Sequence, residues 1–241
     1  TEQVSLISLP RDLWLDSEKA KINSLYQKGL AKNNGLKYAE EKFSEILGIN
    51  IPYAIRVDFS GFIKAVDLIG GIDMAVVNSF DDYLYPIEGK ENDYCDLQEK
   101  DMDLSEDQAK QLNLEKGIHQ VLVDKDGNIA TASTTVEGKI EYVENSVGKY
   151  FPCRYEHISF DKGLSHMDGT TALKFVRSRH GTNNEGTDFA RSKRQQLVLQ
   201  AFKNKILSVQ TLTDPQKIVE LLKTFDKSIE TNIPVKLYPE F

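Results

Sequence analysis

Of the 30 lysines and arginines in this 241-residue chain only seven are arginine, yet four of these, Arg177, Arg179, Arg191 and Arg194, fall within residues 177–196, RSRHGTNNEGTDFARSKRQQ. Lysine alone suffices for a soluble surface. Arginine adds a planar fork of donors that captures phosphate or carboxylate through two parallel hydrogen bonds. A local run of arginine in a chain of net charge −7 points to an oxyanion site.

The spacing adds a second half to the ligand. In a helix beginning near Asp188, residues Asp188, Arg191 and Gln195 share one face, and Leu199, Phe202 and Ile206 continue it. That face is polar for two turns and apolar afterwards, which suits a molecule with an anionic head and an apolar tail. The same three apolar residues also fit an ordinary core stripe, and both readings stand at this point. Either Thr187 or Asp188 can cap the helix start, where free backbone N–H groups favour an anion. Arg177 and Arg179 close a preceding apolar stretch in which Ala172, Leu173 and Val176 repeat at helical spacing. Two residues apart on a helix they diverge by about 200°, so they reach one ligand only if the helix stops near Arg177, before Gly181. A helix C-terminus attracts arginine in any case, which explains one of them but not the set.

These residues need a frame. The composition, 40% hydrophobic over 241 residues, allows one large domain or two small ones. An acidic balance, pI near 5.2, excludes a general nucleic-acid binder. No run of about 18 apolar residues exists to span a membrane. The chain opens without Met or a signal peptide, directly on VSLISLP, and we expect a targeting segment and a membrane anchor upstream of residue 1. Cys95 and Cys153 match neither a redox CxxC motif nor a zinc site, and an even pair suggests a disulfide; two buried thiols are the alternative. Closing that loop stabilises the fold by about 4 kcal/mol on chain-entropy grounds.

Residues 4–9 read as a buried strand leading into Pro10-Arg11-Asp12. Residues 21–31 and 36–47 read as helices, the second stopped by Gly48, followed by a strand over 53–59, a short helix over 62–68 and a strand from Ile72. This alternation predicts a layered α/β/α architecture with a mixed central sheet. Residues 80–160 change character: an acidic, broken stretch, then two strand-like runs joined at Asp126-Gly127. The DKDGN run lacks the bidentate Glu of a calcium loop and reads as a hairpin turn. Helical character resumes after Phe160 and runs to about Phe225, before an irregular tail.

The ordered segments SLISLPRD, KINSLYQKG, VDFSGFIKAVDLIGGIDM, LSHMDGTTALKFVRSRH and DFARSKRQQLVLQAFKNKI resemble the LytR–CpsA–Psr family. The resemblance covers roughly residues 4–78 and 161–230, and R-x-R followed by D-x-x-R-x-x-R-Q-Q is its most specific part. It implies a single domain over residues 1–241 with a long β-rich insertion at about 80–160, a mixed central sheet and an apolar lipid pocket. It implies an extracytoplasmic phosphotransferase, anchored to the bacterial membrane. Such an enzyme moves a glycopolymer, such as wall teichoic acid or capsule, from a polyprenyl-pyrophosphate carrier to peptidoglycan or another wall acceptor. Residue by residue, it implies that Arg11, Arg177, Arg179 and Arg191 contact the pyrophosphate with Gln195 alongside, and that Asp188 orients arginine or moves a proton. Asp188 and Arg191 are the expected catalytic pair. Phe59, Phe62, Val66, Leu199 and Phe202 are the expected pocket.

The family's metal-binding aspartates precede the PRD segment, so the ligands of a divalent cation, Mg2+ or Mn2+, are expected upstream of this chain. Asp12 is a poor substitute beside Arg11. Two rival readings remain: a non-catalytic module that binds polyprenyl phosphate, and a pyrophosphatase acting on the same lipid.

Overall fold

The computed structural model describes residues 7–136, 139–142, 151–208, 214, 216, 219–221, 223 and 228–234. Contacts divide the chain into two compact units, residues 1–80 with 160–241, and residues 81–159. The class is α/β. Among the described residues the strands fall into five sheets, four of two strands and one of four, so the expected central sheet is represented by short pieces.

In the first unit a small hairpin, β1 (Trp14–Leu15) with β2 (Ala20–Lys21), leads through a 3-10 turn into α1 (Leu25–Leu30) and α2 (Gly35–Leu47). Ile22, Leu25 and Tyr38 form their shared core, with Leu13, Leu15, Phe43 and Ile46 packed against it. The strand expected over 4–9 differs: residues 4–6 lie outside the described residues, and residues 7–9 are irregular with Ile7 exposed. The helix expected from residue 21 begins later, because Lys21 is occupied in pairing with Trp14. Gly48 stops α2 in the left-handed region at φ 66, as a helix C-terminus favours.

β3 (Ile55–Val57) pairs with β12 (Ile229–Thr231), and β4 (Ile72–Val76) pairs with β11 (Gly163–Met167), both antiparallel. Between β3 and β4 runs α3 (Phe59–Leu68), three residues longer than its apolar pattern because the Asp58 carboxylate caps it, accepting from Gly61 N at 2.6 Å. After β11 come α5 (Gly169–Arg177) and α6 (Asp188–Ile206). α5 begins hard against α3: a Cβ on Gly169 would meet Ile63 O at 2.2 Å, so only glycine allows that approach. Phe80, Phe160 and Phe175 pack ring against ring, with centroids 5.0–5.9 Å apart.

The second unit holds β5 (Phe80–Pro86) and β10 (Tyr155–Phe160), except for their terminal residues Phe80 and Phe160, with β6 (Gln98–Leu104), α4 (Glu106–Gln111), β7 (Gly117–Val123), β8 (Ile129–Val136) and β9 (Lys139–Tyr142). β5 pairs with β10, and β6-β7-β8-β9 form a meander. The stretch read as broken thus carries two strands and a helix. Its signal was Ser105 three residues before Gln108, a reciprocal capping box that starts α4. Asp124 closes the β7–β8 turn by accepting from the backbone of Asp126 and Asn128 at 2.9 and 2.8 Å. Cys95 and Cys153 are joined in a disulfide. The helical reading from Phe160 to about Phe225 meets α5 and α6, with β11 as a strand inside it; its part beyond residue 208 falls mostly outside the described residues, as does the tail beyond residue 234.

Candidate functional site

α5 ends on Arg177, and Ser178 turns the backbone to φ −50, ψ 135. That break releases Arg177 and Arg179 from helical divergence. The Arg177 guanidinium lies over the Phe59 ring, 4.4 Å from its centroid, a cation–π contact. Arg179 Nη2 instead reaches Asp12 Oδ2 at 3.3 Å, and Lys21 Nζ meets the other carboxylate oxygen at 3.2 Å. The Lys21 hydrogen bond, reinforced by the charges of Lys21, Arg11 and Arg179, holds the Asp12 carboxyl below its ordinary value of 3.8. Arg11 itself is exposed in the turn closed by Leu13 N and Pro10 O.

Asp188 opens α6, and its Oδ1 lies 2.6 Å from Arg191 Nη2. The Arg191 side chain is only 11% exposed, whereas that of Asp188 is half-exposed. The Thr187 hydroxyl caps the helix, accepting from Ala190 N at 3.2 Å.

Arg194 departs from the expectation raised by the arginine run. It is 3% exposed and spends its fork on the protein. Nε donates to Phe175 O at 2.8 Å, Nη1 to Glu185 O and Glu185 Oε2 at 2.6 Å each, and Nη2 to Ser178 O at 2.8 Å. It also lies over the Phe80 ring at 4.8 Å. This arginine supports the 178–185 segment from beneath. Its neighbour Gln195 sits about 100° round the helix and faces outward.

A groove of about 480 Å³ lies among α3, α5 and α6. Phe59, Phe62 and Ala65 form one wall, Leu173 and Val176 the second, and Val198, Leu199 and Phe202 the third, with Val57 and Ile229 from the β3–β12 ladder. Gln195 is one of its few polar groups. Four of the five expected pocket residues therefore line it, with Gln195. Val66 does not: it is fully buried in the interior, and Ala65 takes the wall position. Helical spacing identifies a face but not how deep along the helix that face is covered. The α5 contribution was carried by the Leu173–Val176 repeat, which by sequence reads equally as core. Phe59 belongs both to the groove wall and to the Arg177 stack, so a cationic group adjoins an apolar slot.

The described residues offer a cation little. One group of His, Cys, Asp and Glu among them is compact enough to hold a metal, Asp93 with Cys95 and Cys153, and its two sulfurs are bonded to each other. Asp12 and Asp188 are each committed to arginine. Magnesium prefers several carboxylate and water oxygens, and these donors do not fit it.

The sequence matches the model of the LytR_cpsA_psr family over residues 1–240. It is similar to polyisoprenyl-teichoic acid–peptidoglycan teichoic acid transferase TagV of Bacillus subtilis, 24% identical over 238 residues, covering 96% of this chain and 41% of that protein. It is also similar to regulatory protein MsrR of Staphylococcus aureus, 25% identical over 236 residues, covering 97% of this chain and 47% of that protein. Among solved structures, B. subtilis TagV superposes with a TM-score of 0.48 at 24% identity, covering 95% of this chain and 60% of that one. TagT bound to LI-WTA gives 0.46 at 18% identity, covering 96% and 59%. The chain spans less than half the length of the curated relatives it matches.

Proposed function

The chain belongs to the LytR–CpsA–Psr family, and we propose that it is the lipid-handling part of a phosphotransferase that moves a glycopolymer from a polyprenyl-pyrophosphate carrier to peptidoglycan or another wall acceptor. One observation carries this reading: the Arg177 guanidinium stacks on Phe59, and Phe59 is also a wall of the apolar groove. An anionic head with an isoprenoid tail matches both halves at once. The name of the teichoic acid transferase TagV agrees with that class of reaction.

In this scheme the acceptor hydroxyl attacks the sugar-bearing phosphorus. A new O–P bond forms as the hydroxyl proton passes to a carboxylate or to water, the bond to the lipid phosphate breaks, and polyprenyl phosphate remains in the groove. Phosphoryl transfer asks the protein mainly to position groups and neutralise charge. Arg177 and Arg191 serve the pyrophosphate, with Arg179 and Arg11 at its edge and Gln195 at the groove entrance. Asp188, 2.6 Å from Arg191, aims that arginine. A divalent cation would supply further charge neutralisation, but the donors among the described residues do not fit one. The reading extends to an extracytoplasmic, membrane-anchored location, which the disulfide supports because such bonds persist in oxidising compartments.

The test is saturable binding of a polyprenyl phosphate to the chain, followed by an assay for glycopolymer joined covalently to peptidoglycan. Absence of binding rejects the reading. Binding without transfer, under conditions where the full-length protein transfers, leaves a lipid-phosphate-binding module.

A further inference from the structure

The chain contains one tryptophan, Trp14, and it is 54% exposed. Exposing a large aromatic ring forfeits the burial that usually recommends tryptophan, so its surroundings bear on its purpose. Trp14 lies on β1 directly opposite Lys21 on β2, and cross-strand partners project from the same face. Its indole N–H donates to Asp16 Oδ1 at 3.0 Å, which fixes the ring orientation. Lys21 in turn meets Asp12 at 3.2 Å, and Asn23 Nδ2 donates to the same carboxylate at 3.4 Å. Asp12 then receives Arg179 at 3.3 Å. The result is one continuous surface strip, Asp16–Trp14–Lys21–Asp12–Arg179, running from a fixed aromatic face to the arginine segment.

We propose that Trp14 is the platform for the first sugar of the lipid-linked donor, with Asp16 and Lys21 as hydrogen-bonding partners for its hydroxyl groups. The proposal rests on the function read above, which puts a pyrophosphate against the arginines. A sugar attached to that pyrophosphate must leave the groove side and continue over the adjoining surface. Sugar C–H bonds carry partial positive charge and are drawn to the electron-rich face of an indole, while the hydroxyls need polar groups at the ring edge. The strip has that composition. Trp14 is thereby a specificity residue that distinguishes a glycosylated carrier from a bare one.

The single tryptophan makes the test direct. Intrinsic fluorescence of the 241-residue chain reports contact at Trp14, and calorimetry gives the affinities of the chain and of its Trp14 variants, during titration with three probes: farnesyl pyrophosphate, farnesyl pyrophosphate bearing one N-acetylhexosamine, and a free N-acetylhexosamine oligomer. We expect the sugar-bearing lipid to shift Trp14 emission and to bind about tenfold more tightly than the bare lipid. Trp14→Ala should remove that tenfold advantage while leaving affinity for farnesyl pyrophosphate unchanged, and Trp14→Phe should keep most of it. Equal binding of the two lipids with no change in emission would overturn the proposal while the lipid-binding function survives. Failure of both lipids to bind would remove the function and this proposal together. An equal response to the free oligomer would put the acceptor there instead and reject the assignment to the donor.

Discussion

Arg194 and Glu185 form an ion pair of 2.6 Å in the interior of the first unit, and the same guanidinium ties the backbone of Phe175, Ser178 and Glu185. Breaking a buried pair by removing one partner strands the other charge. Arg194→Ala should destabilise the first unit by about 3–5 kcal/mol. Urea unfolding measured on wild type and variant checks this, and a change below about 1 kcal/mol would mean the pair is not buried in solution.

Arg177→Lys and Arg191→Lys should each weaken polyprenyl phosphate binding by about tenfold or more, since an ammonium neither lies flat on Phe59 nor offers two parallel donors. Calorimetric titration reads the affinity. Unchanged affinity in both variants would sink the head-group assignment.

Leu199 is 57% exposed on the groove wall, so Leu199→Asp should alter stability by no more than about 0.5 kcal/mol. Its effect belongs to the tail. Each buried methylene is worth about 0.8 kcal/mol, so long-chain lipid phosphates should lose affinity while a short isoprenyl phosphate loses little. A loss of the same size for both chain lengths would place the tail elsewhere.

Much of this arrangement is legible in the sequence, where local rules decide it. The start of α6 at Asp188 follows from Thr187 as cap, and the end of α2 follows from Gly48. The groove residues on α6 appear as a stripe because a helix repeats every 3.6 residues. Arg194 is the instructive failure. In D-x-x-R-x-x-R it looks like a repeat of Arg191, yet it turns inward because the carbonyls of Phe175, Ser178 and Glu185 need donors there. That demand arises from backbone brought together by the fold, and no spacing within α6 encodes it. β11 was likewise read as part of a helical region. Its identity depends on pairing with β4, some 90 residues earlier.

Asp12 should titrate below 3.8, because Lys21, Arg11 and Arg179 favour its charged form. A folded value below the unfolded one means the contribution is fully present above the unfolded value and is lost as pH falls through the folded value. The tie between Asp12 and Arg179 should therefore persist across neutral and mildly acidic pH and loosen only below pH 3.8. Carboxyl chemical shifts during an acid titration report this directly. A midpoint at or above 3.8 would contradict the arrangement.

Replacing Cys95 and Cys153 with serine should cost the second unit about 4 kcal/mol, from the loop that the bond closes. Denaturant midpoints with and without reductant provide the measurement. Coincident midpoints would show that the bridge does not stabilise the unit.

Phe59 has one face under the Arg177 guanidinium and is also part of the groove wall. In the language of linkage, head and tail recognition then share a residue and cannot be independent. A tail that shifts the ring re-aims the guanidinium, and a head group that draws Arg177 away alters the wall the tail meets. Substitutions at Arg177 and in the groove should show a coupling energy in a double-mutant cycle that vanishes when Phe59 is leucine. Preference for a head group and preference for a chain length are, at this ring, a single trait under selection.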